Sequence, residues 1–333
     1  MNKKILIGLL AVLVLLAVGV YYFLIQEEEQ KIYKIGILVG IQALTPLADS
    51  FKAEMAQLGY IEGENVAYDM QVTNVEPEKE KGIINKFIAD GVDLIFTFPT
   101  EVSMFAKELT WESKTPVVFS FANIEGTNLV DSVANPGGNV TGVRFPGPDL
   151  AVKRFEVMME LDPEIDTIWV PFQKDYPIVQ SQLDVLRPAA QAAGITLVEF
   201  EGTDAASLQA ELDRLSNLKD VGVDAILLMA EPFSIIEDSF MAMSKFAREQ
   251  DIPMGGNYMS VQGYESLFGI IINLVTTGQQ AAGLSDKILS GADPGTIPVP
   301  SSESYFQLNY REAEALGITV PAGLLGQADE IIQ

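Results

Sequence analysis

The residues best suited to hold a small molecule recur at matching places along this chain. Thr100 and Glu101 follow the run "LIFTFP", Ser120, Phe121 and Asn123 close "VVFSFAN", and Glu231 follows "AILLMA". Phe98, Phe172, Tyr176 and Tyr258 end or follow other apolar runs, and Gln42 and Asn257 stand at two more such ends. Hydroxyls and the free N–H groups of helix starts take a carboxylate. A glutamate takes an ammonium group. A rim of aromatic rings with few polar groups suits a small organic ligand. Each residue also has a plainer reading. Glu101 and Glu231 fit as favourable acids in a helix's first turn, and single aromatics fit the core.

Catalytic chemistry has few routes here. The chain has no cysteine and no histidine. That excludes thiol nucleophiles, Cys/His metal sites, Ser-His-Asp triads and disulfides. No Walker-type phosphate loop occurs. The stretch "GGNVTG" (137–142) has Asn139 where a dinucleotide fingerprint needs its second glycine, and it precedes a strand-like run. No cofactor and no metal are therefore expected. Asn139-Val140-Thr141 also fits a glycosylation sequon, a pattern that arises often by chance. The formal net charge is −25. Such a surface repels phosphate backbones, so nucleic acid is not an expected partner.

These residues need elements to position them. From Lys34 onward short apolar runs alternate with helical patterns. "KIGILVG" (34–40), 65–70, "GVDLIFTF" (91–98) and "TPVVFSF" (115–121) read as strands, with helices over 46–58, 77–89 and 100–109. The pattern restarts after residue 148. Strands are expected at 167–170, 196–200, 223–229 and 252–254, with helices over 149–161, 178–193, 205–215 and 234–250. "GVDAILLM" (222–229) echoes "GVDLIFTF". A strand over 266–272, a helix over 274–289 and a strand over 305–309 follow. This alternation predicts an α/β protein with two doubly wound parallel sheets. Ligands in such sheets sit beyond the carboxyl ends of the strands, which is where the residues named above fall.

The N-terminus has a separate role. Residues 5–25 carry no charge, and at about 1.5 Å per residue they span a bilayer core of roughly 30 Å. The run is longer than the apolar core of a signal peptide and ends in Tyr21, Tyr22 and Phe23 rather than small residues. It reads as an uncleaved anchor. Lys3 and Lys4 stay inside, and the acidic domain lies outside after a short tether.

"TPVVFSF" followed by "NPGGNVTGV", with "LGYIEGENV" (58–66) and "EALGITVPAGLL" (314–325), resembles the ABC-transporter substrate-binding proteins of the tryptophan/tyrosine type. The likeness covers about residues 34–320. It implies the periplasmic-binding-protein-like type I fold and a solute receptor that closes like two jaws and delivers cargo to a membrane permease and its ATPase. Lobe 1 would hold residues 34–143 and about 271–298, and lobe 2 residues 144–270 and about 299–333, after the anchor and tether of residues 1–31. The segment Gly137, Gly138, Asn139, Thr141 and Gly142 would be the first hinge crossing, with others near 269–273 and 298–302. An amino-acid ligand would place its carboxylate on Thr100 and Ser120 and its amine on Glu231 or Glu101. A neutral aromatic or nucleoside-like solute, or a sensor built on the same domain, are the other readings.

Overall fold

The computed structural model describes residues 31–257 and 260–333. The anchor expected over residues 5–25 and the contact expected from Tyr258 lie outside these. Among the described residues no helix is long and apolar enough to cross a membrane.

The first sheet grows from the run at residue 34. β1 (Tyr33–Val39), β2 (Val66–Val72), β3 (Leu94–Phe98), β4 (Val117–Ala122) and β5 (Val140–Arg144) pair in the order β2-β1-β3-β4-β5, all parallel. β3 is buried along its whole length and β1 over its last five residues. Continuous apolar runs give this burial, since helices cover both faces. α1 (Thr45–Gln57), α2 (Pro77–Ala89) and α3 (Thr100–Leu109) make the crossovers. Proline opens α1 and α2, where its missing N–H has no intrahelical partner to lose.

α4 (Gly147–Leu161) leads into the second sheet. Its strands are β6 (Thr167–Gln173), β7 (Thr196–Gly202), β8 (Ala225–Leu227) and β9 (Met254–Gly255), in the order β7-β6-β8-β9 and again all parallel. α5 (Val179–Ala193) and α6 (Ala205–Ser216) connect them. A capping box of Asp204 and Ser207 starts α6.

The helix expected over 234–250 is two helices, α7 (Pro232–Ile235) and α8 (Glu237–Glu249). Ile236 between them is extended, with φ −82° and ψ 122°. Ile235 and Ile236 stay 49% and 48% exposed.

After a two-strand ribbon, β10 (Ser260–Val261) and β11 (Tyr264–Glu265), the chain forms β12 (Phe268–Ile272). Leu267 donates its N–H to the Met254 carbonyl (2.7 Å) and Gly256 to that of Phe268 (3.0 Å), which sets β12 beside β9. α9 (Leu274–Leu289) then returns to pack on α1. β13 (Ser304–Asn309) runs antiparallel to β12, and β14 (Glu330–Ile332) is parallel to β13. α10 (Tyr310–Ala315) and α11 (Ala322–Gln327) lie between β13 and β14. Four apolar clusters fill the faces of the two sheets.

The glycine-rich stretch is more ordered than an open joint. Gly137 and Gly138 take positive φ (77° and 60°) and turn the chain into β5. Thr141 and Gly142 lie inside that strand, paired with Val118 and Phe119. A Cβ on Gly142 would stand 2.2 Å from the Phe119 carbonyl oxygen, so glycine is required by close approach. Asn139 is buried and donates to Thr110 Oγ1 (2.9 Å) and to the Thr115 carbonyl (2.6 Å). A glycan on that nitrogen is incompatible with the fold.

Candidate functional site: a cleft lined by both sheets

The carboxyl ends of the strands in both sheets line one cleft with two adjoining chambers. The outer chamber, of about 500 Å³, is bordered by Ile41, Asn74, Glu80, Pro99 and Glu101 after the first sheet. Across from them stand Gln173, Tyr176, Ile235 and Ile236. The inner chamber, of about 100 Å³, is bordered by Thr100, Phe121, Asn123 and Phe145 on one side. Tyr176, Ala230, Glu231, Asn257, Arg154 and Ile271 complete it. Seven expected residues thus reach the cleft: Thr100, Glu101, Phe121, Asn123, Tyr176, Glu231 and Asn257.

Four others do not line either chamber, each for a physical reason. Phe98 is fully buried against Phe96, with ring centroids 5.1 Å apart. Phe172 belongs to the core under the second sheet. In both cases strand alternation turns the ring away from the cleft. Ser120 is fully buried within β4. Gln42 is exposed on the 3-10 turn after β1 and lies outside both chambers.

Glu231 is a helix cap before it is anything else. Its Oε2 accepts the N–H groups of Gln173 (3.0 Å) and Phe233 (3.0 Å), and its Oε1 accepts that of Ser234 (2.9 Å). Burial pushes its carboxyl up to about 7, against those three N–H groups, which favour the charged form. Tyr176 faces both acids. Its phenol is pushed well above its ordinary value, first by burial, then by the neighbouring Glu101 carboxylate and last by the Glu231 charge. Tyr176 therefore stays protonated and offers an O–H. Thr100 Oγ1 accepts the Asn123 N–H (3.1 Å), which ties α3 to the end of β4. Phe121 sits at φ 47°, a costly angle for a non-glycine residue, and its ring packs on Phe145 with centroids 5.2 Å apart.

The residue that sequence reasoning missed is Arg154. It is 1% exposed. Its Nε (3.0 Å) and Nη2 (2.6 Å) both donate to the Ile270 carbonyl. Among the described residues Nη1 has no partner, and no carboxylate makes an ion pair with the group. Desolvation pushes it down to about 10, so it remains a cation at neutral pH. A signal was present: Arg154 lies four residues after Leu150 and four before Met158, on the buried stripe of α4. Ile235 and Ile236 were also missed, because a continuous helix was expected there.

A cleft at the carboxyl ends of two parallel sheets, inside an α/β chain of this topology, is consistent with the periplasmic-binding-protein-like type I fold. The family model described as ABC transporter substrate binding protein matches residues 34–332, and the chain belongs to that family. It is a substrate-binding protein and not an enzyme. A curated relative, the tyrosine-binding protein of Clostridioides difficile (strain R20291), is 26% identical over 276 residues, covering 82% of this chain and 76% of the relative. The crystal structure of an ABC domain in complex with L-Trp from Streptococcus pneumonia superposes with a TM-score of 0.76 at 24% identity, covering 91% of this chain and 100% of that one. A ligand-free, open substrate-binding protein with adhesive properties from Clostridium difficile gives 0.70 at 24% identity, with the same coverage.

Proposed function

We propose that this chain is the extracytoplasmic receptor of an ABC importer and that it holds an amino acid, with an aromatic side chain, in the cleft described above. The observation that carries this reading is the composition of the cleft. Apolar walls from Ile41, Phe121, Ile235 and Ile236 surround two acids, Glu101 and Glu231, with Tyr176 beside them. An aromatic side chain fits the apolar walls, and the acids attract an ammonium group. The relatives that bind tyrosine and L-Trp support the same class. Loaded receptor would hand its cargo to a membrane permease driven by an ATPase, with residues 5–25 as the anchor.

In this reading residues 34–143 and about 271–298 form one lobe, and residues 144–270 and about 299–333 the other. The pivot falls just past the glycine-rich segment. Arg144 exchanges backbone hydrogen bonds with Pro300 and Ser302, and Asn273 donates its N–H to Glu303, so three crossings lie side by side. Gly137, held by the Gly295 carbonyl, and Gly138, Asn139, Thr141 and Gly142 are the first-lobe side of that joint.

A thermal-shift screen of the full chain tests the ligand class. L-Trp or L-Tyr at 100 times its Kd stabilises the folded state by about 2.7 kcal/mol and raises Tm. Shifts with nucleosides and none with any amino acid would discard the amino-acid class.

A further inference from the structure

Arg154 is a buried cation with an unfinished set of partners. Of the guanidinium's five N–H donors, the Ile270 carbonyl takes those of Nε and one on Nη2. The N–H groups on Nη1 are left over, in a side chain that is 1% exposed and borders the inner chamber. A single carbonyl does not compensate a buried charge, and buried cations are ordinarily paired. Arg154 has no acid partner among the described residues. Among the described residues that line the chamber, the other with an unpartnered buried polar atom is Asn123, through its Oδ1.

We infer that Arg154 is the anion anchor of the cleft: its Nη1 edge receives the carboxylate of the bound solute in the inner chamber. This rests on the receptor reading above and narrows it to carboxylate-bearing solutes. The inner chamber, of about 100 Å³, admits a carboxylate and the carbon that bears it but not an aromatic ring as well. The ring then occupies the outer chamber of about 500 Å³ between Ile41 and Ile235. Thr100 and Ser120, expected from sequence to hold the carboxylate, stand differently in the structure. Ser120 borders neither chamber; Thr100 borders the inner one, and its Oγ1 accepts the Asn123 N–H while keeping its own O–H to donate as a neutral second contact beside the cation. The guanidinium is held from behind by the rigid edge of β12, so its orientation is set before a ligand arrives.

The test uses full-chain protein and four kinds of probe in calorimetric titration and thermal shift. These are L-Trp and L-Tyr, their decarboxylated forms tryptamine and tyramine, indole-3-propionate and 3-(4-hydroxyphenyl)propionate, and nucleosides. The expected result is that compounds with a carboxylate bind and the two amines do not. Arg154→Gln weakens the carboxylate probes by about 10- to 100-fold, as expected for losing a hydrogen bond to a charged group. Its melting temperature without ligand is kept or raised, because an uncompensated charge is removed. Arg154→Lys recovers part of the affinity. Amines binding as tightly as the amino acids, or unchanged affinity in Arg154→Gln, would overturn the assignment and leave the receptor reading standing. Binding of the propionates without the amino acids would remove the amino-acid class and leave Arg154 as the anchor. Binding of nucleosides alone would overturn both. If Arg154→Gln does not fold, the comparison of L-Trp with tryptamine on the unaltered protein decides.

Discussion

At the scale of a residue, the Glu231 carboxylate is pulled in two directions. Burial favours its neutral form, three backbone N–H groups favour its charged form, and burial dominates to bring it to about 7. The unperturbed value is 4.5. Between about pH 4.5 and 7 the folded chain therefore keeps a proton that the unfolded chain has lost. Stability contributed by this group is greatest below that window, falls as pH rises through it, and is level above 7. The total is at most about 3 kcal/mol. Glu231→Gln removes the contribution. Urea unfolding of both proteins from pH 4.5 to 8 should show the difference between them changing across that range. A constant difference would mean that Glu231 titrates normally. The same cap makes Glu231→Ala a poor probe of ligand binding, since the start of α7 loses its acceptor with it.

Among the elements, the contact between α1 and α9 depends on one absent side chain. A Cβ on Gly278 would lie 1.9 Å from Ser50 Oγ and 2.5 Å from the Leu47 carbonyl oxygen. The hydroxyl can move aside, but the carbonyl belongs to the α1 backbone. Gly278→Ala costs about 3 kcal/mol in overpacking and regains about 1 kcal/mol of helix propensity, a net loss of about 2 kcal/mol. Gly283 on the same helix meets nothing within 4 Å. Gly283→Ala keeps only the propensity gain and stabilises by up to about 1 kcal/mol. Denaturant midpoints of the two variants should move in opposite directions. Equal shifts would mean that the two helices are not closely packed at Gly278.

For the whole molecule, the decisive region is where the chain passes between the two sheets. Arg144 Nε donates to Ser301 Oγ (2.8 Å), while its other nitrogens meet Glu125 and Asp149 (3.1 Å for the latter). The side chain thus pins one crossing to another and pairs with two acids. Arg144→Ala leaves those acids unpaired and should cost about 1–3 kcal/mol. It should also speed hydrogen exchange at the Ser302 amide, which donates to the Arg144 carbonyl. If the proposed closure is real, L-Trp or L-Tyr lowers the radius of gyration in solution scattering, and more strongly in Arg144→Ala, whose open state is looser. An unchanged radius with bound ligand would argue against closure.

Local patterns were enough to establish the two parallel sheets, the bounds of α2, α3 and α9 and the strand ends that border the cleft. Buried parallel strands read as continuous apolar runs, and helices announce themselves by proline, acid and period. Seven cleft residues followed from that, because ligand sites in such sheets lie past the carboxyl ends of strands. Only the tertiary structure decided the rest. Phe98 and Phe172 stand at the same strand ends yet face the core, since the phase of each strand against its helices is a packing outcome. Glu231 was equally consistent with cap and ligand until its three N–H donors were placed. Arg154 sits on a helix, away in sequence from any strand end, and the role inferred for it comes from what does not surround it. A charge is costly or useful according to its neighbours in space, which a linear pattern does not contain.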